Sequence, residues 1–289
     1  MKNNTHWTWQ GHSIACQSLK TAPGGLPPIV FVHGFGANLG HWRKNIPVLG
    51  KHHPVHALDL LGFGGSAKPG GVAYTFETWG AQVADFTREV VGAPAILVGN
   101  SIGAIVALQA AVYSPEQVAG VVMINCSLRL LHDRKRQTLP WLRRTSTPLL
   151  QRILSVPTFG RFFFERVRRP ASVRRILKQA YVREEAVTDE LIDLLCKPAY
   201  DPGAAEVFLS FINYSGGPLA EDLLPQVRCP VLILWGEQDP WEPIALGRKL
   251  ADYPCVRKFV AIQRAGHCPQ DEAPEEVNEQ ILEWVQMID

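Results

Sequence analysis

Short apolar runs recur along the chain at Ile29–Val32, Val55–Leu58, Ala95–Val98, Val118–Ile124, Val231–Leu234 and Phe259–Ile262. They are of strand length, and they do not alternate with polar residues. Strands apolar on both sides belong to a parallel sheet covered on both faces by helices. Helical patterns separate the runs; in the last, Pro274 to Met287, Val277, Ile281, Trp284 and Val285 fall on one face. Residues 6 to 17 instead alternate in polarity about Gln10-Gly11, which predicts an opening hairpin. The pattern predicts the α/β class: a mostly parallel twisted sheet flanked by helices.

Between about Arg129 and Val227 the strand rhythm stops. Helices are predicted at 139–154, 160–168, 171–181, 188–195 and 204–212, punctuated by Pro140, Pro148, Pro157, Pro170, Pro198 and Pro202. Nearly a hundred helical residues between two sheet strands predict an inserted helical cap, 129–226, on a core made of 1–128 and 227–289.

A chain of 289 residues that is 46% hydrophobic and 19% charged is long enough and apolar enough to fold around a sizeable core. Its longest apolar window, Ala93 to Val112, carries Asn100, Ser101 and Gln109, so no membrane-spanning segment is expected. The opening residues Met1 to Trp7 lack the apolar core of a secretion signal and the character of a transit peptide, which predicts a cytoplasmic protein. Cys16, Cys126, Cys196, Cys229, Cys255 and Cys268 are scattered without a C-x-x-C pair, arguing against a disulfide framework and a zinc site. No metal or cofactor is expected. The net charge of +2 conceals an asymmetry: between Arg129 and Lys178 fourteen Lys/Arg stand against two acids, while the rest carries fifteen bases and twenty-five acids. A basic surface and an acidic one share the chain.

Chemistry gathers at the carboxyl ends of the strands, as expected of such a sheet. Gly99-Asn100-Ser101-Ile102-Gly103 lies between the apolar run at 95–98 and a helical stretch at 104–112. A bare G-x-S-x-G arises often in glycine-rich turns; a strand before it and a helix after it distinguish this one. Glycines two residues to either side give room for the sharp turn that presents the Ser101 hydroxyl at a helix N-terminus. A serine hydroxyl needs a base to take its proton and an acid to orient that base. His267, in Ala265-Gly266-His267-Cys268-Pro269, follows the last strand, and Asp239 follows the run at 231–234, with Glu237 and Glu242 as competitors in its loop. Asp239 is preferred because it comes first after the strand and turn. His33-Gly34-Phe35-Gly36 follows the first parallel strand, and its Phe35 N–H together with that of Ile102 supplies the two donors a tetrahedral oxyanion needs. Asp59 to Ser66 has two glycines but no phosphate-loop ending, and reads as a structural turn.

Serine, acid and histidine in that order, with elbow, oxyanion loop and cap, resemble the α/β-hydrolase superfamily over essentially the whole chain. A narrower resemblance rests on His33-Gly34-Phe35-Gly36-Ala37, His41-Trp42-Arg43-Lys44-Asn45, Asp59 to Ser66, Trp235-Gly236, Asp239-Pro240-Trp241-Glu242-Pro243, and Gly266 to Pro274 with Val277-Asn278. These stretches look like the pheophytinase and chlorophyll dephytylase group. That resemblance implies hydrolysis of the phytyl ester of a chlorophyll-type pigment, releasing phytol and a chlorophyllide or pheophorbide, through an acyl-enzyme on Ser101. It also implies a place beside pigment membranes, hence peripheral association with a thylakoid membrane, and a cyanobacterial member, since plant members carry transit peptides.

Substrate-contacting residues are expected at His33, Gly34, Asn100 and Trp241, and in the cap at Phe162, Phe163 and Phe164. Three consecutive phenylalanines on a helix fan over about 200°, more than one packed face covers. With Trp141, Leu142, Leu149, Leu150, Ile153 and Leu154 and the basic window, they suggest a helix resting on an anionic membrane, against the plainer reading of a solvated basic face. Nucleic acid would suit the charge, but no recognition motif accompanies it, so none is expected as a partner. The alternatives are a general carboxylesterase, a carbon–carbon bond hydrolase of the same fold, and a non-catalytic binding protein. Epoxide hydrolase and haloalkane dehalogenase chemistry needs a carboxylate where Ser101 stands.

Overall fold

Among the described residues eight strands form one sheet: β1 (Asn4–Trp9), β2 (His12–Leu19), β3 (Ile29–Val32), β4 (Val55–Leu58), β5 (Ala95–Asn100), β6 (Val118–Ile124), β7 (Val231–Gly236) and β8 (Val256–Ile262). The computed structural model describes residues 4–19, 26–135 and 151–288. The strand order is β1-β2-β4-β3-β5-β6-β7-β8. The first two pairings are antiparallel and the rest parallel. Gln10 and Gly11 both take positive φ, 48° and 80°, which suits the two-residue turn of a hairpin with right-handed strand twist.

The longer helices outside the insertion are α1 (Phe76–Phe86), α2 (Ile102–Tyr113) and, at the far end of the chain, Pro274–Ile288. Side chains of each parallel strand alternate between two cores. Val30 and Val32 pack with Trp79, Phe86 and Ile105 on the α1/α2 face; Ile29 and Phe31 pack with Trp42, Ile281 and Trp284 on the other. This double burial is why the strands read as unbroken apolar runs. Thr75 caps α1 by accepting a hydrogen bond from the Thr78 N–H.

Between β6 and β7 the chain leaves the sheet for α3 (Pro157–Val167), α4 (Pro170–Ala180), α5 (Asp189–Cys196) and α6 (Ala204–Ile212); the C-terminal helix is then α7 (Pro274–Ile288). α3 and α4 each start on a proline, whose fixed φ suits a first helical turn, so they begin slightly before the periodicity indicates. Most of the helix expected at 139–154, with Trp141, Leu142, Leu149 and Leu150, lies outside the described residues. α6 packs on α3 through Phe208 and Phe164, whose ring centroids are 5.2 Å apart. Leu177, Tyr181, Leu191, Ile192 and Cys196 form a separate small core with Cys268, joining the insertion to the loop after β8. Among the described residues no helix is long and apolar enough to cross a membrane.

Candidate active site

β5 ends at Asn100, and the chain reverses into α2 through Ser101, held at φ 56°, ψ −120°. A residue with a Cβ rarely adopts such a φ, so surrounding structure must enforce it. The Ser101 N–H donates to the Ile124 carbonyl at 2.9 Å, and its own carbonyl accepts from Ala104 and Ser127. A Cβ on Gly99 would stand 2.2 Å from the Gly103 carbonyl oxygen, and one on Gly103 would stand 2.4 Å from that of Val32. Both contacts are with backbone, which cannot give way. Glycine is required at these two positions, and Gly103→Ala is expected to destabilise by several kcal/mol, as overpacking against rigid neighbours does; urea unfolding measures it.

Asp239 and His267 stand in the loops after β7 and β8 and meet each other there, and His267 lines the same cavity as Ser101. His267 Nδ1 lies 2.8 Å from Asp239 Oδ2. With Nδ1–H donated there, Nε2 keeps the lone pair a general base needs. Asp239 Oδ1 accepts from the Trp241 and Glu242 N–H groups, at 2.8 and 3.1 Å. Burial by itself would raise the Asp239 carboxyl, but the bonds from His267 and Asn125 outweigh it and hold the group below its usual value. Asp239 thus remains a carboxylate able to orient the imidazole.

The pattern of the chain did not reveal Asn125. It follows β6 at φ 42°, fully buried, and its Nδ2 donates to Asp239 Oδ2 at 2.6 Å and to the Gly266 carbonyl at 3.2 Å. Its Oδ1 accepts from the Gly236 N–H, so one amide ties together the ends of β6, β7 and β8. The only signal was its position after a strand. Asn125→Leu should lower kcat by roughly 10- to 100-fold, the worth of one hydrogen bond to a charged group, read from initial rates on a soluble ester. Glu272 was also missed. Its Oε1 accepts from Gly266 N–H and its Oε2 from Val182 and Arg183 N–H groups, clamping the His267 loop to the insertion. His267 N–H donates to the Ala180 carbonyl as well, at 2.8 Å.

A cavity of about 420 Å³, in the range of small-molecule sites, opens over Ser101 and is lined by His267, Gly34, Phe35, Ile102, Asn100 and Trp241. Ile102 is the first residue of α2, so its N–H lies outside the helical ladder. Phe35 projects its ring onto Phe63, Phe208 and Phe211, at centroid distances of 5.8, 5.4 and 4.7 Å, which anchors the backbone of its loop. Asn100 Nδ2 donates to the Ile124 and His267 carbonyls, and the Trp241 ring lies 5.0 Å from that of His267.

Three expected substrate contacts are corrected. His33 does not line the cavity. It is fully buried, its Nδ1 donates to the Gly34 carbonyl at 2.8 Å, and its Nε2 accepts from the Leu60 N–H at 3.0 Å. Burial lowers its pKa to about 4, so it is a neutral brace for the loop. Of the three phenylalanines only Phe164 reaches the cavity. Phe162, 60% exposed, sits on the outer side of α3, and Phe163, 38% exposed, sits at its edge with its ring 6.3 Å from that of Phe208, because α3 turns one narrow face inward. Asp59 to Ser66 is a structural turn: the Asp59 carboxylate accepts from Leu39 and Gly65 N–H groups and occupies the place of a Cβ on Gly64.

Glu242 also lines the cavity, nine-tenths buried; its Oε1 accepts from Ser127 Oγ at 3.1 Å and its Oε2 has no partner. Burial pushes its pKa up to about 7, from 4.5. As pH rises from 4.5 towards 7 the unfolded chain ionises this group while the folded protein does not, so folding stability falls across that window and levels off above it. Glu242→Gln is therefore expected to gain stability over wild type between about pH 5 and about pH 8, by on the order of 3 kcal/mol at the upper end. Urea unfolding at both pH values checks it.

A family model described as "Alpha/beta hydrolase family" matches residues 29–280. The chain is 26% identical to a chloroplastic pheophytinase of Arabidopsis thaliana over 299 residues, covering 91% of this chain but 62% of that protein. It is 26% identical over 254 residues to a 2-hydroxy-6-oxo-2,4-heptadienoate hydrolase of Pseudomonas putida, covering 85% and 84% of the two chains. The solved structure of a meta-cleavage product hydrolase from Pseudomonas fluorescens superposes with a TM-score of 0.74 at 20% identity, over 99% and 98% of the chains. At that identity the likeness is one of fold.

Proposed function

The chain belongs to the alpha/beta hydrolase family, and we propose that it is a serine hydrolase cleaving the phytyl ester of a chlorophyll-type pigment. Ser101 Oγ attacks the ester carbonyl carbon as His267 Nε2 takes its proton. The Phe35 and Ile102 N–H groups receive the oxyanion. The tetrahedral intermediate collapses as His267 returns the proton to the departing phytol oxygen, leaving an acyl-enzyme on Ser101 that a water, activated by the same histidine, hydrolyses.

One observation carries the lipophilic substrate. The helices between β6 and β7, acting as the cap, line the cavity with Phe164, Val167, Val173, Ile176, Leu177 and Phe208, an apolar sleeve beside the serine. The match to a pheophytinase over most of this chain supports the same reading. Hydrolysis of a carbon–carbon bond in a dienoate acid, as the name of the Pseudomonas relative suggests, calls for a cation free to bind the carboxylate. Among the described residues the Lys and Arg side chains lining the cavity are already engaged: Lys68 with the Gly64 and Ser66 carbonyls and Asp201, Arg168 with Glu165 and the Ala199 carbonyl.

Incubation with pheophytin a and chlorophyll a separately should release free phytol from at least one of them. Each buried methylene contributes about 0.8 kcal/mol, so kcat/KM for phytyl or long prenyl esters should exceed that for p-nitrophenyl acetate by at least about 100-fold. Preference for the acetate assigns a general carboxylesterase instead, and turnover of the dienoate alone a carbon–carbon bond hydrolase.

A further inference from the structure

α3 and α4 present two faces with different surroundings. Inward, Phe164 and Val167 of α3 and Val173, Leu177 and Ala180 of α4 line the cavity. Outward, Val156, Phe159, Phe162 and Arg166 follow one another at the three- and four-residue steps that make a single stripe, with Phe163 at its edge, and all five are exposed. Phe159 and Phe162 are 59% and 60% exposed, and what sets them apart is that they adjoin one another and Phe163 in one contiguous apolar patch. Ile153, just before α3, is exposed as well. The cations beside this stripe are unusually unspent. Arg152, Arg166, Arg169 and Arg175 are exposed and enter none of the ion pairs among the described residues, and Arg166 lies over the Phe162 ring at 4.8 Å. Three other arginines of these helices are employed elsewhere: Arg161 with Glu206, Arg168 at the cavity wall and Arg174 with Asp189. Ile176 links the two faces, since it both lines the cavity and stands 37% exposed at the surface.

From this arrangement we infer that the outer face of α3 and α4 docks on an anionic lipid bilayer, with Phe159, Phe162 and Phe163 in the acyl boundary and Arg166, Arg169 and Arg175 among the headgroups. Charge decides the occupant: an apolar stripe edged by unpaired arginines matches a surface that is apolar within and negative at its rim. A second copy of this chain would set arginine against arginine. Docking brings the cavity wall at Ile176 to the bilayer, so an apolar ester tail passes from lipid to cavity without crossing water. That last step rests on the lipophilic-ester reading above; the docking itself does not.

The test is co-sedimentation of the full chain with vesicles of phosphatidylcholine alone and of phosphatidylcholine with phosphatidylglycerol, alongside initial rates on a soluble short-chain p-nitrophenyl ester. Wild type should pellet with the anionic vesicles, hardly with the neutral ones, and be released by high salt. Each arginine near an anionic surface contributes a factor of about 5, so R166Q/R169Q/R175Q should bind on the order of 100-fold more weakly. F159S/F162S should bind the same vesicles at least about tenfold more weakly, and both variants should hydrolyse the soluble ester within about twofold of the wild-type rate, since none of these side chains touches the cavity. Equal pelleting on neutral and anionic vesicles, or wild-type binding by the arginine variant, overturns the docking. Wild-type binding by F159S/F162S removes the insertion of α3. A wild-type dimer that F159S/F162S dissociates, with no vesicle binding, assigns the stripe to a second copy. Vesicle binding in this pattern by a protein that cleaves no ester leaves the docking standing and overturns the proposed reaction.

Discussion

Replacing Ser101 by alanine is expected to lower kcat for ester hydrolysis by on the order of 10⁶-fold, the loss seen when a nucleophile is removed from a group of residues that act as a unit. The rate that survives is what binding and the oxyanion donors supply without a nucleophile. Folding should be unaffected: alanine adds no atom to the turn, and the bonds from the Ser101 backbone to Ile124, Ala104 and Ser127 do not involve the hydroxyl. Rates on a soluble ester, with circular dichroism and urea unfolding of the same preparation, decide it. A folded variant that keeps more than about a tenth of the wild-type rate locates the nucleophile elsewhere.

Asp239→Asn should be the second largest loss, on the order of 10⁴ in kcat, and the hydrogen bonds show why. The carboxylate takes four donors: His267 and Asn125 on Oδ2, Trp241 and Glu242 N–H on Oδ1. An asparagine amide has one acceptor oxygen. Whichever way it is turned, its NH₂ faces two donors, so either the imidazole takes the wrong tautomer or the loop after β7 loses its turn. A stability loss of about 1–3 kcal/mol should accompany the rate loss. Glu242→Gln, by contrast, removes no bond to His267 and should change kcat by less than about tenfold. A larger loss from Glu242→Gln than from Asp239→Asn transfers the orienting role to Glu242.

These two experiments separate the parts of the site that neighbours in the chain dictate from those that distant residues dictate. The parallel strands were legible as apolar runs because burial on both faces leaves no solvent side to require polar residues. The elbow was legible because its constraint is local: Gly99 and Gly103 answer to backbone within a few residues or on the adjoining strand β3. The order of Ser101, Asp239 and His267 followed, since loops at the carboxyl ends of parallel strands converge on one edge of the sheet. What the chain alone could not show was how distant side chains divide the work. Asn125 bonds to Asp239 across 114 positions, and Glu272 grips Val182 across 90; neither spacing has a pattern to read. His33 looked like a pocket residue because it precedes the oxyanion loop, yet the pleat turns its ring inward onto the Leu60 amide. Phe162, Phe163 and Phe164 are equivalent as letters. Only the packing of α3 on α6 sends Phe164 to the cavity and leaves the other two outside. Local sterics and periodicity are properties of short stretches and survive in the sequence; which side chain faces which partner depends on helix rotation and loop closure, and these exist only once the distant segments are packed together.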